Sequence, residues 1–139
     1  MSLIQTIQAT QVRNSFSTVI DTVVRDKPVM IKRNRDNIML MSDVQVLGLV
    51  QQCNFKATYI SEDDGSTTAT LDGCDLVVNE KNPEQAHIEL ANELVEYAQE
   101  YFDQFQLYYS SNNRKQHFPY VLRVLLAKDL NEVKGLIYA

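Results

Sequence analysis

Apolar positions first recur with a helical period at Val12, Phe16, Val19, Ile20, Val23 and Val24, spaced 4, 3, 1, 3 and 1. Thr10, just ahead of them, offers the hydroxyl of an N-cap, and Asp26-Lys27-Pro28 ends the stripe because proline cannot continue a helix. Leu3 to Gln8 reads as a short strand. Val29 to Lys32 and Ile38 to Met41 read as two more, joined by the polar turn Asn34-Arg35-Asp36-Asn37. Ser42-Asp43-Val44-Gln45 has the form of a capping box and opens a short helix to about Gln52. The predicted order over this stretch is β-α-β-β-α.

From Phe55 the period changes to two. Phe55 to Ile60 and Ser66 to Leu71 alternate as a hairpin across Glu62-Asp63-Asp64-Gly65, and Leu76 to Val78 supplies a third strand. Asn82-Pro83-Glu84-Gln85 is a helix start with Asn as cap and Pro at the first helical position. The helix it opens is expected to run to about Tyr109, burying Ile88, Ala91, Leu94, Val95, Ala98, Phe102 and Phe105. Glu89, Glu93, Glu96, Glu100 and Asp103 are expected on its outer face. Phe118 to Ala127 and Leu130 to Tyr138 read as two final helices. The fold class is therefore α+β, with an N-terminal domain over 1–52 and a small C-terminal α+β domain over 53–139. The latter is a hairpin or three-stranded sheet with one long and two shorter helices.

Composition supports folding: 45% of the 139 residues are hydrophobic and 22% charged, a globular balance. No apolar run reaches the roughly 20 residues of a membrane helix. The start Met1-Ser2-Leu3-Ile4-Gln5 lacks the basic and apolar regions of a secretion signal. A cytoplasmic protein is expected, with Cys53 and Cys74 as reduced thiols. The net charge of −5 is uneven: through Cys53 six basic side chains outnumber four acidic ones, while the remainder carries seven against fourteen. A mildly basic head on an acidic body permits polyanion binding by the head alone.

Candidate chemistry is sparse. His87 and His117 have no nucleophile at a spacing that argues for catalysis. Glu62-Asp63-Asp64-Gly65 lacks the alternating oxygen ligands of a calcium loop, and Asp72, Asp75 and Glu80 show no pattern that makes them converge on magnesium. No enzyme activity, metal or cofactor is expected. The aromatic-rich stretch of Tyr97, Tyr101, Phe102, Phe105, Tyr108, Tyr109, Phe118 and Tyr120 is first of all core, and is also where a partner or ligand pocket would form, around Leu94, Phe102 and Phe118.

The ordered set Ile7-Gln8-Ala9-Thr10-Gln11-Val12-Arg13-Asn14-Ser15-Phe16, Lys27-Pro28-Val29-Met30-Ile31-Lys32-Arg33 and Met39-Leu40-Met41-Ser42 resembles the Phd/YefM antitoxin family over residues 3 to 52. The resemblance implies a homodimer, or a higher even-numbered oligomer, whose paired N-terminal domains bind operator DNA. By position it implies contacts from Arg13, with Asn14 beside it, on the first helix and from Arg33 on the basic strand; the neighbouring cations Lys32 and Arg35 complete the candidate DNA-binding set. Arginine's planar fork suits phosphate and guanine, and a helix N-terminus would add its dipole. Where Phd/YefM members have a tail that folds on a toxin, this chain carries a second folded module. Its Leu71-Asp72-Gly73-Cys74 and Asn82-Pro83-Glu84-Gln85-Ala86 resemble HicB-type antitoxin modules. The expectation is an autoregulator whose acidic body neutralises a toxin. The alternative is a non-enzymatic ligand- or protein-binding module that uses the head only to dimerise. Charge alone favours an ordinary solvated rim for Arg13, Lys32, Arg33 and Arg35, and it is the resemblance that turns the reading toward DNA.

Overall fold

In the computed structural model, which describes residues 3–139, the stripe from Val12 to Val24 is carried by two helices, not one. The helix α1 (Ala9–Asn14) follows the strand β1 (Thr6–Gln8), and α2 (Phe16–Arg25) starts after a break at Ser15. Ser15 leaves helical geometry at φ −133°, ψ 42°, and its hydroxyl donates back to the Gln11 carbonyl at 2.8 Å. Such back-bonding competes with the helical ladder and bends or interrupts it. Thr10 is not the cap: extended Gln8 precedes the first turn, and Thr10 lies inside α1.

The strands β2 (Val29–Arg33) and β3 (Asp36–Leu40) complete a sheet of order β1-β2-β3, with β1 parallel to β2 and β2 antiparallel to β3. Val19, Val23 and Val29 form its small core, with Ile7, Val12, Ile31 and Leu40 packed around them. The capping box of α3 (Asp43–Val50) closes in both directions: the Gln45 amide N–H donates to Ser42 Oγ at 3.2 Å, and the Ser42 N–H to Gln45 Oε1 at 2.9 Å. The same Gln45 side chain donates to the Val23 carbonyl at 3.1 Å, tying α3 to the end of α2.

The chain divides into two compact units between Leu49 and Val50. In the second, β4 (Phe55–Ser61), β5 (Thr67–Leu71) and β6 (Leu76–Glu80) form an antiparallel meander. Against it packs α4 (Pro83–Asp103), started by Asn82, whose side chain accepts from the Gln85 N–H at 2.8 Å. A short helix α5 (Phe105–Tyr109) follows a break at Gln104. A 3-10 turn (Lys115–His117) then leads into α6 (Phe118–Leu125) and α7 (Leu130–Gly135).

The end of the chain departs from the helix expected through Tyr138. Ile137–Tyr138 is a strand, β7, parallel to β4 in the register Phe55↔Ile137, so the sheet has the order β6-β5-β4-β7. The stripe of α4 also differs. It buries Ala86, Leu90, Ala91, Leu94, Ala98 and Tyr101, whereas Phe102, expected inside, is 55% exposed. Consecutive helical residues lie about 100° apart, and the arc from Ala86 to Ala98 centres on Tyr101.

Candidate functional site

In the first unit the predicted DNA-contacting residues fall on one short helix and one hairpin. Arg13 and Asn14 are the last residues of α1, not its start. The helix dipole therefore favours the Arg13 cation by its negative end and adds nothing to anion binding there. Gln8, the residue before α1, pairs in register with Lys32, so α1 leaves the sheet beside the Lys32–Arg33 end of β2. Across the hairpin Arg33 pairs with Asp36, leaving Asn34-Arg35 as a two-residue turn; Asp36 and Asn37, expected in the turn, belong to β3. Asn34 takes φ 55°, a left-handed conformation that asparagine tolerates better than most residues.

Arg13, Asn14, Lys32, Arg33 and Arg35 are all exposed. Among the described residues the only ion pair is Arg123–Glu132 in the second unit, so the four head cations carry no carboxylate partner. No ion pair would have to break for an anion to approach them.

In the second unit the aromatic stretch is mainly core. Tyr101 is fully buried, and its hydroxyl donates to the Arg114 carbonyl at 2.8 Å. Phe118 lies against Tyr101, Phe105 and Tyr109, and the Arg114 guanidinium stands 4.9 Å from the Tyr108 ring centre. Leu94 is buried and lines a small, partly enclosed void with Phe55, Cys74, Tyr97, His117 and Tyr120. Leu94, Phe102 and Phe118 thus do not meet around one pocket: Leu94 lines that void, Phe118 packs in the aromatic cluster and Phe102 faces outward.

Both histidines have structural partners. His87 Nε2 bonds the Lys134 carbonyl at 2.9 Å, and His117 Nδ1 shares a 2.7 Å hydrogen bond with the Tyr97 hydroxyl. No group of three or more His, Cys, Asp or Glu among the described residues is placed to hold a metal ion. In the acidic turn, Asp64 accepts from the Ser66 N–H at 2.9 Å, and the bonds to Ser66 hold its carboxyl below the usual range.

Burial pushes the Cys74 thiol from 9.0 up to about 11, aided by the Asp75 carboxylate. Burial likewise moves the Tyr97 hydroxyl from 10.0 up to about 12. Both groups hold their protons more tightly when folded. The stability this gives is complete below their unfolded values and is lost as pH climbs through the folded ones. Circular dichroism on alkaline titration should accordingly show the protein weakening between about pH 9 and 12. Tyr97→Phe, with no phenolic proton to lose, should lessen that dependence; an unchanged alkaline profile would count against burial as the cause.

The family model for PHD-like proteins, described as antitoxin of toxin-antitoxin, RelE / RelB, TA system, matches residues 1–139. The chain belongs to this antitoxin family. The match includes the second unit as well as the head, so the body is part of the antitoxin and not an unrelated appendage. The chain is also similar to a crystal structure of the antitoxin part of a proposed toxin/antitoxin system from Syntrophomonas wolfei subsp. wolfei. That likeness has 48% identity and a TM-score of 0.91, over 98% of each chain. No curated protein sequence matches the antitoxin. Among its described residues no helix is long and apolar enough to cross a membrane.

Proposed function

We propose that this antitoxin is a Phd/YefM-type autoregulator of the cytoplasm, without enzymatic activity. Its N-terminal unit pairs with a second copy and binds operator DNA, and its acidic C-terminal unit neutralises a toxin. The observation that carries the DNA reading is the set of exposed, unpaired cations, Arg13, Lys32, Arg33 and Arg35. Unpaired arginine and lysine at an exposed strand end suit phosphate contacts, and each contact releases counterions from the duplex.

Pairing of two copies is supported by apolar surface that the small head leaves uncovered. On α2, Phe16, Ile20 and Val24 recur every fourth residue, with Phe16 58% and Val24 65% exposed. Val19 and Val23 meanwhile face the core. A helix apolar on both faces implies two packing partners, one inside its own fold and one outside. Two copies related by a twofold axis would present two sets of cations to a near-palindromic site.

Phe16→Asp tests the pairing. Sedimentation should give twice the monomer mass for the wild type and the monomer mass for the variant, with DNA binding weakened in parallel. A monomeric wild type that still binds DNA would remove dimerisation from the account.

A further inference from the structure

We propose that the groove between α4, α6 and α7 is the docking site for a cationic, amphipathic segment of the toxin, an inference that rests on the C-terminal unit being the neutralising one. The groove has a volume of about 570 Å³. That is the size of an ordinary ligand cleft, so it admits the side chains of one segment and not a whole domain. Val95, Leu125 and Leu130 give it an apolar floor, while Glu89, Glu96 and Asp129 stand along it. None of the residues lining it is Lys or Arg.

Two features point to a cationic occupant. First, Glu89, Glu93, Glu96, Glu100 and Asp103 follow one another along α4 at spacings of three or four residues, and α4 contains no Lys or Arg. Like charges at those spacings repel and weaken a helix, so the ladder opposes folding unless a cation answers it. Second, Arg123 on α6 is engaged with Glu132 on α7 at 3.1 Å and does not answer the carboxylates of α4. Among the described residues Glu89 and Glu96 make no ion pair, and Asp129 caps α7 through one carboxylate oxygen, which accepts from the Glu132 N–H at 2.9 Å.

An amphipathic helix laid in such a groove would place aliphatic side chains on the floor and Lys or Arg against the carboxylates. Opposite charge of this kind raises the encounter rate and rejects partners of the wrong sign.

The test titrates the full-length antitoxin with the protein encoded by the reading frame adjacent to its own, following the methyl resonances of Val95, Leu125 and Leu130. Binding should move these methyls. Glu89→Lys with Glu96→Lys should weaken it about 100-fold, and the near-isosteric Glu89→Gln with Glu96→Gln about tenfold, mainly through slower association. The glutamine pair keeps the test open should the lysine pair not fold. Wild-type binding with methyl shifts confined elsewhere, or undiminished in the folded variants, would overturn the groove and leave toxin neutralisation intact. No binding of that protein by the wild type would overturn both.

Discussion

Replacing Arg13 and Arg33 together by alanine should weaken binding of the antitoxin to the duplex upstream of its own reading frame by at least about 100-fold near physiological salt. Two cations per subunit are four per dimer. At about 0.9 counterion per phosphate contact, the plot of log affinity against log salt should flatten by about 3 to 4. Both arginines are exposed, neither belongs to the small core of Val19, Val23 and Val29, and neither has an ion-pair partner among the described residues, so their loss should leave the head folded. Lys81→Ala with Lys134→Ala, which removes two cations from the acidic unit, provides the control of equal charge. Equal weakening by both pairs would show that only net charge matters, and the assignment of the α1 and β2 cations would fall.

Leu94→Ala should cost about 3 kcal/mol, because a fully buried leucine loses both its transfer free energy and its packing when truncated. The cost should exceed the transfer term alone. Leu94 already borders a void beside Cys74, Tyr97 and His117, and the missing atoms would enlarge it. For a unit of this size each kcal/mol lowers the melting temperature by about 4–8 °C, so thermal unfolding should move down by well over 10 °C. Phe102 follows buried Ala98 by one helical turn, which on spacing alone suggests an inner position. Its side chain is exposed instead, and Phe102→Ala should cost under about 0.5 kcal/mol. A reversal of that order, with Phe102 the costly residue, would mean that α4 packs in a different rotational register.

The contrast between these two residues shows what the sequence can and cannot convey. Hydrophobic spacing places Leu94 and Ala98 inside, and the structure agrees. At the next turn Tyr101 and Phe102 are both aromatic, and hydropathy prefers phenylalanine. The fold buries Tyr101 because its ring lies nearer the centre of the stripe and its hydroxyl finds the Arg114 carbonyl, a partner no local pattern reveals. The break at Ser15 is similar: the apolar period runs through it, and the hydroxyl's bond back to the Gln11 carbonyl leaves no mark in that period. Strand β7 is two residues long, too short for any period to show, and exists because Phe55 and Lys56 offer it an edge.

Signals confined to a few neighbouring residues are legible. The capping box at Ser42, the cap at Asn82 and the hairpin across Glu62 to Gly65 all form as their local chemistry dictates. The head cations are legible as residues, but not their setting. Arg13 lies at the end of a six-residue helix, so its contribution comes from its own charge and not from a helix dipole. The groove between α4, α6 and α7 has no local signature, since it depends on how three helices from separate stretches of the chain come together.

The central claim is that the head of this antitoxin reads DNA through unpaired cations. It is tested most directly by fluorescence anisotropy of the wild-type protein on its own upstream duplex, measured across a range of salt concentrations. The account predicts binding whose log affinity falls with log salt at a slope of about −3 or steeper, and a preference for that duplex over one of shuffled sequence. No binding at low salt, or binding indifferent to salt, would contradict it.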